Sequence, residues 1–155
     1  MAVEFRPFLP GDEIAFRRLN EAWIVQFFGM EPKDYEVLSD PATHILEKGG
    51  HIVMGVDGDV AVACCALIPM EAGCFELSKM AVDEARRGSG FGRKLIAYAI
   101  DRARTAGATR LYLETNSRLA NAVHLYELAG FRHLPAERVQ KSPYARANVY
   151  MELLL

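Results

Sequence analysis

The chain contains no apolar run approaching the roughly 18 residues that a bilayer-spanning helix needs. Its opening, Met1-Ala-Val-Glu-Phe-Arg6, is not that of a secretory signal peptide. Cysteine is scarce, with three in 155 residues. Cys64 and Cys65 are neighbours on one expected strand and so face opposite ways, which argues against a disulfide framework and suits a reducing cytoplasm. The four histidines, His44, His51, His124 and His133, lack a ligand spacing such as His-x-x-x-His, so no metal site is expected. A net charge of −2 gives no basis for a nucleic-acid surface, and no membrane partner is expected either. There is no internal repeat, low-complexity tract or interdomain linker. With 51% apolar and 25% charged residues, the chain reads as one domain over 1–155 with a sizeable core.

Two nucleotide-binding patterns are missing as well. No Gly-x-x-x-x-Gly-Lys run precedes a Ser or Thr, and the dinucleotide fingerprint starting at Gly88-x-Gly90 fails because Arg93 stands where its third glycine belongs. What is present is the segment from Glu76 to Leu95, which reads as a strand, a turn rich in Arg and Gly, and a helix. Gly88, Gly90 and Gly92 fall at every second position, flanked by Arg86, Arg87, Arg93 and Lys94. Glycines let backbone N–H groups turn onto a ligand, and the first turn of a helix has donors without internal partners. Such a turn suits phosphate oxygens, and the cations add charge-assisted contacts. A pyrophosphate-containing cofactor is the expected guest.

Hydropathy patterning places the remaining elements. Residues 2–7 alternate as a first strand, and Asp12 is the expected N-cap of a helix running to about Phe28 and stopped by Gly29. Short helical turns are expected near 34–38 and 42–48. His51–Val56 and Val60–Pro69 form a hairpin about Asp57-Gly-Asp59, and Cys74–Val82 is the next strand. Phe91, Leu95, Ile96, Ala99, Ile100 and Ala103 carry helical spacing up to Gly107. Arg110–Thr115 is a strand. Asn116 or Ser117 is the expected cap of a helix ending at Ala129, and Phe131 opens another strand. A loop over 135–146 leads to a last strand over 148–154. The order gives an α/β fold: one mixed sheet covered by helices.

Arg87-x-x-Gly90-x-Gly92 resembles the coenzyme A pyrophosphate loop of the GNAT N-acetyltransferase superfamily. Leu113-Glu-Thr-Asn116, followed by Ala122-Val-His-Leu-Tyr-Glu-Leu-Ala-Gly-Phe131, resembles the second half of that signature: a strand, a helix with Ala-x-x-x-Tyr, then Gly-Phe. The likeness runs from about Glu76 to Phe131. The stretch Ser142-Pro-Tyr-Ala-Arg-Ala-Asn-Val-Tyr-Met-Glu152 is similar to a branch of uncharacterised members. The resemblance implies a mixed, mostly antiparallel sheet with helices on both faces and a splay between the fourth and fifth strands, where acetyl-CoA lies.

Carried over by position, the likeness implies that Met80, Ala81 and Val82 offer backbone groups to the acetyl carbonyl and pantetheine arm. It gives Arg87, Gly88, Ser89, Gly90, Gly92 and Arg93 the pyrophosphate. The asparagine that members often carry seven residues before the tyrosine is Leu119 here, and Asn116, one turn earlier, is the candidate substitute. Tyr126 is the candidate general acid for the departing thiolate, although a tyrosine on an apolar helix face also reads as core. Glu76 is the candidate base, acting directly or through a water chain, and its other reading is a solvated strand glutamate. Alternation would set Glu76, Ser78, Met80 and Val82 on one face. Trp23 and Phe27 read as core first and as acceptor-pocket lining second, and Tyr144 is a further candidate at the acceptor end. Cys65 has no partner that would make it a nucleophile.

The leading expectation is acetyl transfer to the primary amine of a small molecule. A protein or peptide amine as acceptor, and a non-catalytic coenzyme A-binding regulatory module, are the alternatives. A homodimer is compatible with the family.

Overall fold

A computed structural model describes residues 3–139 and 141–155. Position 2 of the expected first strand and Gln140 of the expected 135–146 loop lie outside the described residues. The strands are β1 (Val3–Pro7), β2 (His51–Asp57), β3 (Val60–Pro69), β4 (Cys74–Val82), β5 (Arg110–Thr115), β6 (Arg132–His133) and β7 (Val149–Leu154). The helices are α1 (Glu13–Phe27), α2 (Pro32–Ser39), α3 (Phe91–Thr105) and α4 (Ala120–Leu128), with a π turn over Ala42–Leu46. The strands form one sheet in the order β1-β2-β3-β4-β5-β7-β6. Every neighbouring pair is antiparallel except β4 and β5, which run parallel.

Strand alternation sorts the core into two layers. Val53, Cys65, Leu67, Leu77 and Leu111 pack under α3 and α4 with Leu95 and Ile96. Ile52, Met54, Cys64 and Ala66 face the other way, against Phe16 and Ile24 of α1 and Leu38 of α2.

Two departures from regularity in β4 create the site. Its parallel pairing with β5 joins Cys74–Glu76 to Arg110–Tyr112 and then stops, so Leu77–Val82 diverges from the rest of β5. The pairing with β3 also skips a residue: Cys64 faces Ala81 and Ala66 faces Ser78, so Lys79 and Met80 together oppose Cys65. This is a β-bulge. Lys79 is left-handed there, at φ 53°, the only non-glycine residue with positive φ among those described. Such a conformation costs a lysine on the order of 1–2 kcal/mol.

The bulge overturns the expected alternation. Glu76 and Ser78 register with Ile68 and Ala66, on the α1/α2 face. Met80 and Val82 pack on the α3/α4 face, and Ala81 packs opposite them. Glu76 and Met80 therefore lie on opposite faces of the sheet, connected through the gap.

The two expected caps fare differently. Asp12 holds the N-cap position of α1 as expected, but its carboxylate makes no capping hydrogen bond to the helix; it takes Arg6 at 2.6 Å and the Leu9 amide at 2.8 Å. Helix α4 starts at Ala120 with Leu119 at its cap position, later than Asn116 or Ser117 would place it.

Candidate active site

The splay opens into a cleft of about 720 Å3 that passes from the glycine turn, between β4 and β5, to the aromatic end of α1. On the α3/α4 side it is lined by Met80, Val82, Arg87, Gly88, Gly90, Gly92, Arg93, Asn116 and Tyr126. On the α1/α2 side it is lined by Glu76, Trp23, Phe27 and Tyr144. Ala81 also borders it, but its methyl is buried in the α1/α2 core, so only its backbone is available. Ser89 is not among the lining residues, and its hydroxyl donates to the Arg86 carbonyl.

The turn before α3 is shaped by backbone requirements. Gly88 and Gly90 sit at φ 83° and 84°, and a Cβ at either would meet nothing within 4 Å. Open space lies beyond both, where a ligand has room to approach the main chain. Gly90 is the N-cap of α3 and no side chain caps the helix, so its first-turn amides keep their donors and the positive end of the dipole for a ligand. Gly92, also on the cleft, has a packing role besides: a Cβ there would come within 2.9 Å of the Leu125 side chain, so its lack of one lets α3 approach α4 closely. Of the flanking cations, Arg86 pairs with Asp57 at 2.7 Å, while Arg87 and Arg93 are exposed at the cleft.

Tyr126 is buried on α4 with its ring edge against Phe131, the centroids 5.8 Å apart. Its hydroxyl lies 3.8 Å from the Met80 sulfur, beside the bulge. Burial pushes the phenol above its ordinary range, so it enters any reaction protonated. Asn116 borders the cleft, and each of its side-chain polar atoms is already engaged once within the protein. Its amide donates to the Arg146 carbonyl at 2.6 Å and its oxygen accepts the Arg118 amide at 2.8 Å.

At the other end, burial pushes the Glu76 carboxyl up to about 7, with nearby Glu114 adding to the rise and Lys79 opposing it. A carboxyl of that pKa is half ionised near neutrality, where a general base works best. Glu114, on the same cleft, accepts Ser142 at 2.6 Å and Tyr112 at 3.0 Å. The indole of Trp23 donates to Asn20 at 3.0 Å while its ring packs edge-on to Phe28. Trp23 is thus both core-supported and cleft-lining, whereas Phe27, expected first as core, lines the cleft beside Phe28 outside either core cluster.

Asp34, Lys79, Arg146 and Glu114 were not foreseen. Asp34 is fully buried. Its carboxylate accepts Lys79 Nζ at 2.7 Å, both terminal nitrogens of Arg146 at 2.6 and 2.7 Å, and the Glu31 amide at 2.9 Å. Burial alone would raise that carboxyl, yet hydrogen bonds from Arg146 and Lys79 outweigh it and hold it at about 2. Lys79 also donates to the Tyr144 hydroxyl at 3.1 Å. A signal for Lys79 was available, since it shares sequence parity with the apolar Leu77 and Ala81. Asp34 carries a weaker one in Glu31-Pro-Lys-Asp34, a capping pattern that the structure forms.

Cys65 is fully buried, and burial drives its thiol upward, away from nucleophilic use. All three cysteines are free. Among the described residues no cluster suited to a metal ion is found, and no helix is long and apolar enough to cross a membrane.

Comparison with known proteins agrees with this geometry. YjgM of Escherichia coli K12, an uncharacterized N-acetyltransferase, is 39% identical over 102 residues, covering 64% of this chain and 58% of that protein. The chain thus spans less than two thirds of that relative's length. A GNAT-family acetyltransferase structure from Staphylococcus aureus Mu50 superposes with a TM-score of 0.88 at 18% identity, over 97% of this chain and 98% of that one. The Salmonella typhimurium protein yncA, solved with its cofactor acetyl-CoA, gives a TM-score of 0.77 at 18% identity, over 99% and 94% of the two chains. At that identity the two structures speak for the fold. The profile of the Acetyltransferase (GNAT) family matches residues 16–131, and the chain belongs to that family.

Proposed function

We propose that this chain moves the acetyl group of acetyl-CoA onto the primary amine of a small molecule. The observation that carries the reading is the continuous cleft through the β4/β5 splay, with an uncapped glycine turn at one end and Glu76 at the other. Gly88 and Gly90 leave open space over the main chain, which fits a diphosphate, and Arg87 and Arg93 are exposed beside it. Bound there, acetyl-CoA supplies an activated thioester.

The chain's own groups then divide the work. Glu76, ionised above about pH 7, takes the proton that the amine must lose, directly or through water. A backbone amide of Met80 or Val82 stabilises the oxygen that gains charge as nitrogen adds to the carbonyl carbon. The carbon–sulfur bond breaks and the thiolate takes the proton of the Tyr126 hydroxyl. The bulge serves this division by turning Glu76 toward the acceptor side and Met80 toward the cofactor side.

The direct test is thiol release from acetyl-CoA over a panel of amines, with Tyr126→Phe alongside. The Tyr126 hydroxyl contacts only the Met80 sulfur among described residues, so its removal leaves the fold intact. Turnover is expected to fall about tenfold or more, with coenzyme A affinity nearly unchanged. Unchanged turnover would remove Tyr126 from the mechanism. Stabilisation by coenzyme A without thiol release on any amine would favour a binding module instead.

A further inference from the structure

The buried charges around Asp34 lie outside the proton transfers just described, yet they touch both segments that must be held still for them. One is the β4 bulge. Lys79 keeps a left-handed backbone there, and its side chain is fixed by the Asp34 carboxylate at 2.7 Å. Its carbonyl lies 3.7 Å from the Cys64 thiol, so both ends of the residue are engaged. The second segment is the loop between β6 and β7, which carries Tyr144 and Arg146. Arg146 is clamped by Asp34 through two nitrogens, and its guanidinium stacks 4.5 Å from the Tyr144 ring and 5.4 Å from the Trp23 ring. The Ala145 amide, from the same loop, donates to Glu31 at 2.9 Å.

We propose that Asp34 is a positioning residue for acetyl transfer: one carboxylate on α2 fixes the β4 bulge through Lys79 and the Tyr144–Arg146 loop through Arg146. The assignment rests on the acetyltransferase reading of the cleft. Four hydrogen bonds fill the acceptor positions of Asp34, so the carboxylate has no capacity left for substrate. A bidentate guanidinium–carboxylate pair fixes orientation as well as distance, which a purely apolar contact would not. Loss of the clasp would let Tyr144 and Trp23 drift at the acceptor end, and would release the bulge that separates Glu76 from Met80. Among the described residues, the glycine turn makes no hydrogen bond to Asp34 and would keep its hold on a diphosphate.

Asp34→Asn puts a donor where Arg146 or Lys79 requires an acceptor. It is expected to lower kcat/KM for the acceptor about tenfold or more while the Kd for coenzyme A stays within about twofold. Trp23 is the only tryptophan, so its emission reports on the Arg146 stack without any turnover. Quenching by acrylamide should increase in Asp34→Asn. Arg146→Lys, which keeps the charge but not the fork, should fall between wild type and Asp34→Asn in both readouts.

If Asp34→Asn fails to fold, the triple change Asp34→Leu, Lys79→Met, Arg146→Met decides, because apolar side chains of similar volume often replace buried charges without loss of stability. A stable triple variant with normal acceptor kinetics would overturn the proposal. So would unchanged Trp23 quenching in Asp34→Asn or Arg146→Lys, or coenzyme A affinity falling in step with turnover. A wild-type protein that releases no thiol on any amine would sink the acetyltransferase reading, while Trp23 quenching would still decide whether Asp34 holds the loop.

Discussion

Glu76→Gln should cut turnover at pH 8 by about a hundredfold, the scale of a lost general base, and should also make the protein more stable there. Both results follow from one burial. The folded protein holds the Glu76 proton until about pH 7, whereas the unfolded chain releases it near 4.5. Between those values the folded state binds more protons, so stability falls as pH rises through the window. Below about pH 4.5 both states are protonated and the contribution is intact; above about 7 it is lost. The loss is about 3 kcal/mol. Gln carries no ionisation, so its advantage in melting temperature should be absent near pH 4, grow from about pH 4.5 and level off above about pH 7. The activity profile mirrors this: wild-type turnover should climb through about pH 7, and that limb should be absent in Glu76→Gln. A melting difference independent of pH, together with an unaltered limb, would show that Glu76 is neither the base nor strained by its burial.

Asp34→Ala should produce the largest stability loss among single substitutions at the site. It strips Lys79 of its carboxylate partner and leaves Arg146 with only Glu31, at 3.4 Å, to balance two largely buried cations, a defect worth about 3–5 kcal/mol. For a chain of this length the melting temperature should fall by about 10 °C or more. The exposed Lys33–Glu36 pair, 3.5 Å apart, is the natural control, and Glu36→Ala should cost less than about 1 kcal/mol. The folded-state Asp34 pKa lies at about 2, below the unfolded value of 3.8. Its stabilisation is therefore complete above pH 4 and fades as pH falls toward 2. Wild type and Asp34→Ala should accordingly converge in strong acid. Equal denaturation midpoints at pH 7 would mean the buried charges contribute nothing.

What could be read from the amino-acid order, and what could not, divides by the range of the interactions involved. The glycine turn and α3 were legible because Gly88, Gly90 and the spacing of Leu95, Ile96 and Ala99 are local statements about backbone and periodicity. The mixed, mostly antiparallel sheet and the splay between its fourth and fifth strands came with the family likeness; the strand order did not. The bulge at Lys79 was not legible. It depends on Asp34, 45 positions away, and on Cys64 across the strand, so a period of two carried past Ser78 assigns Met80 and Val82 to the wrong face. The cap at Asn116 failed similarly. Its side-chain oxygen accepts the Arg118 amide in a local turn before the helix, while its amide holds the Arg146 carbonyl of a loop that short-range rules leave unplaced. Asp12 was diverted by Arg6 in the same way. Buried charge at the site is a long-range property, announced only by Lys79, set among apolar neighbours of like parity, and more weakly by the capping pattern at Asp34.

The claim beneath the proposed chemistry is that main-chain amides around Gly88 to Arg93 grip a diphosphate. Calorimetric titration with coenzyme A and with pantetheine, which shares the thiol arm but lacks the diphosphate, tests it without requiring turnover. The account predicts saturable binding of coenzyme A and at least a tenfold weaker Kd for pantetheine, since each charge-assisted contact to the diphosphate contributes about 1.5–3 kcal/mol. Equal affinity for the two ligands, or no heat with coenzyme A, would contradict it.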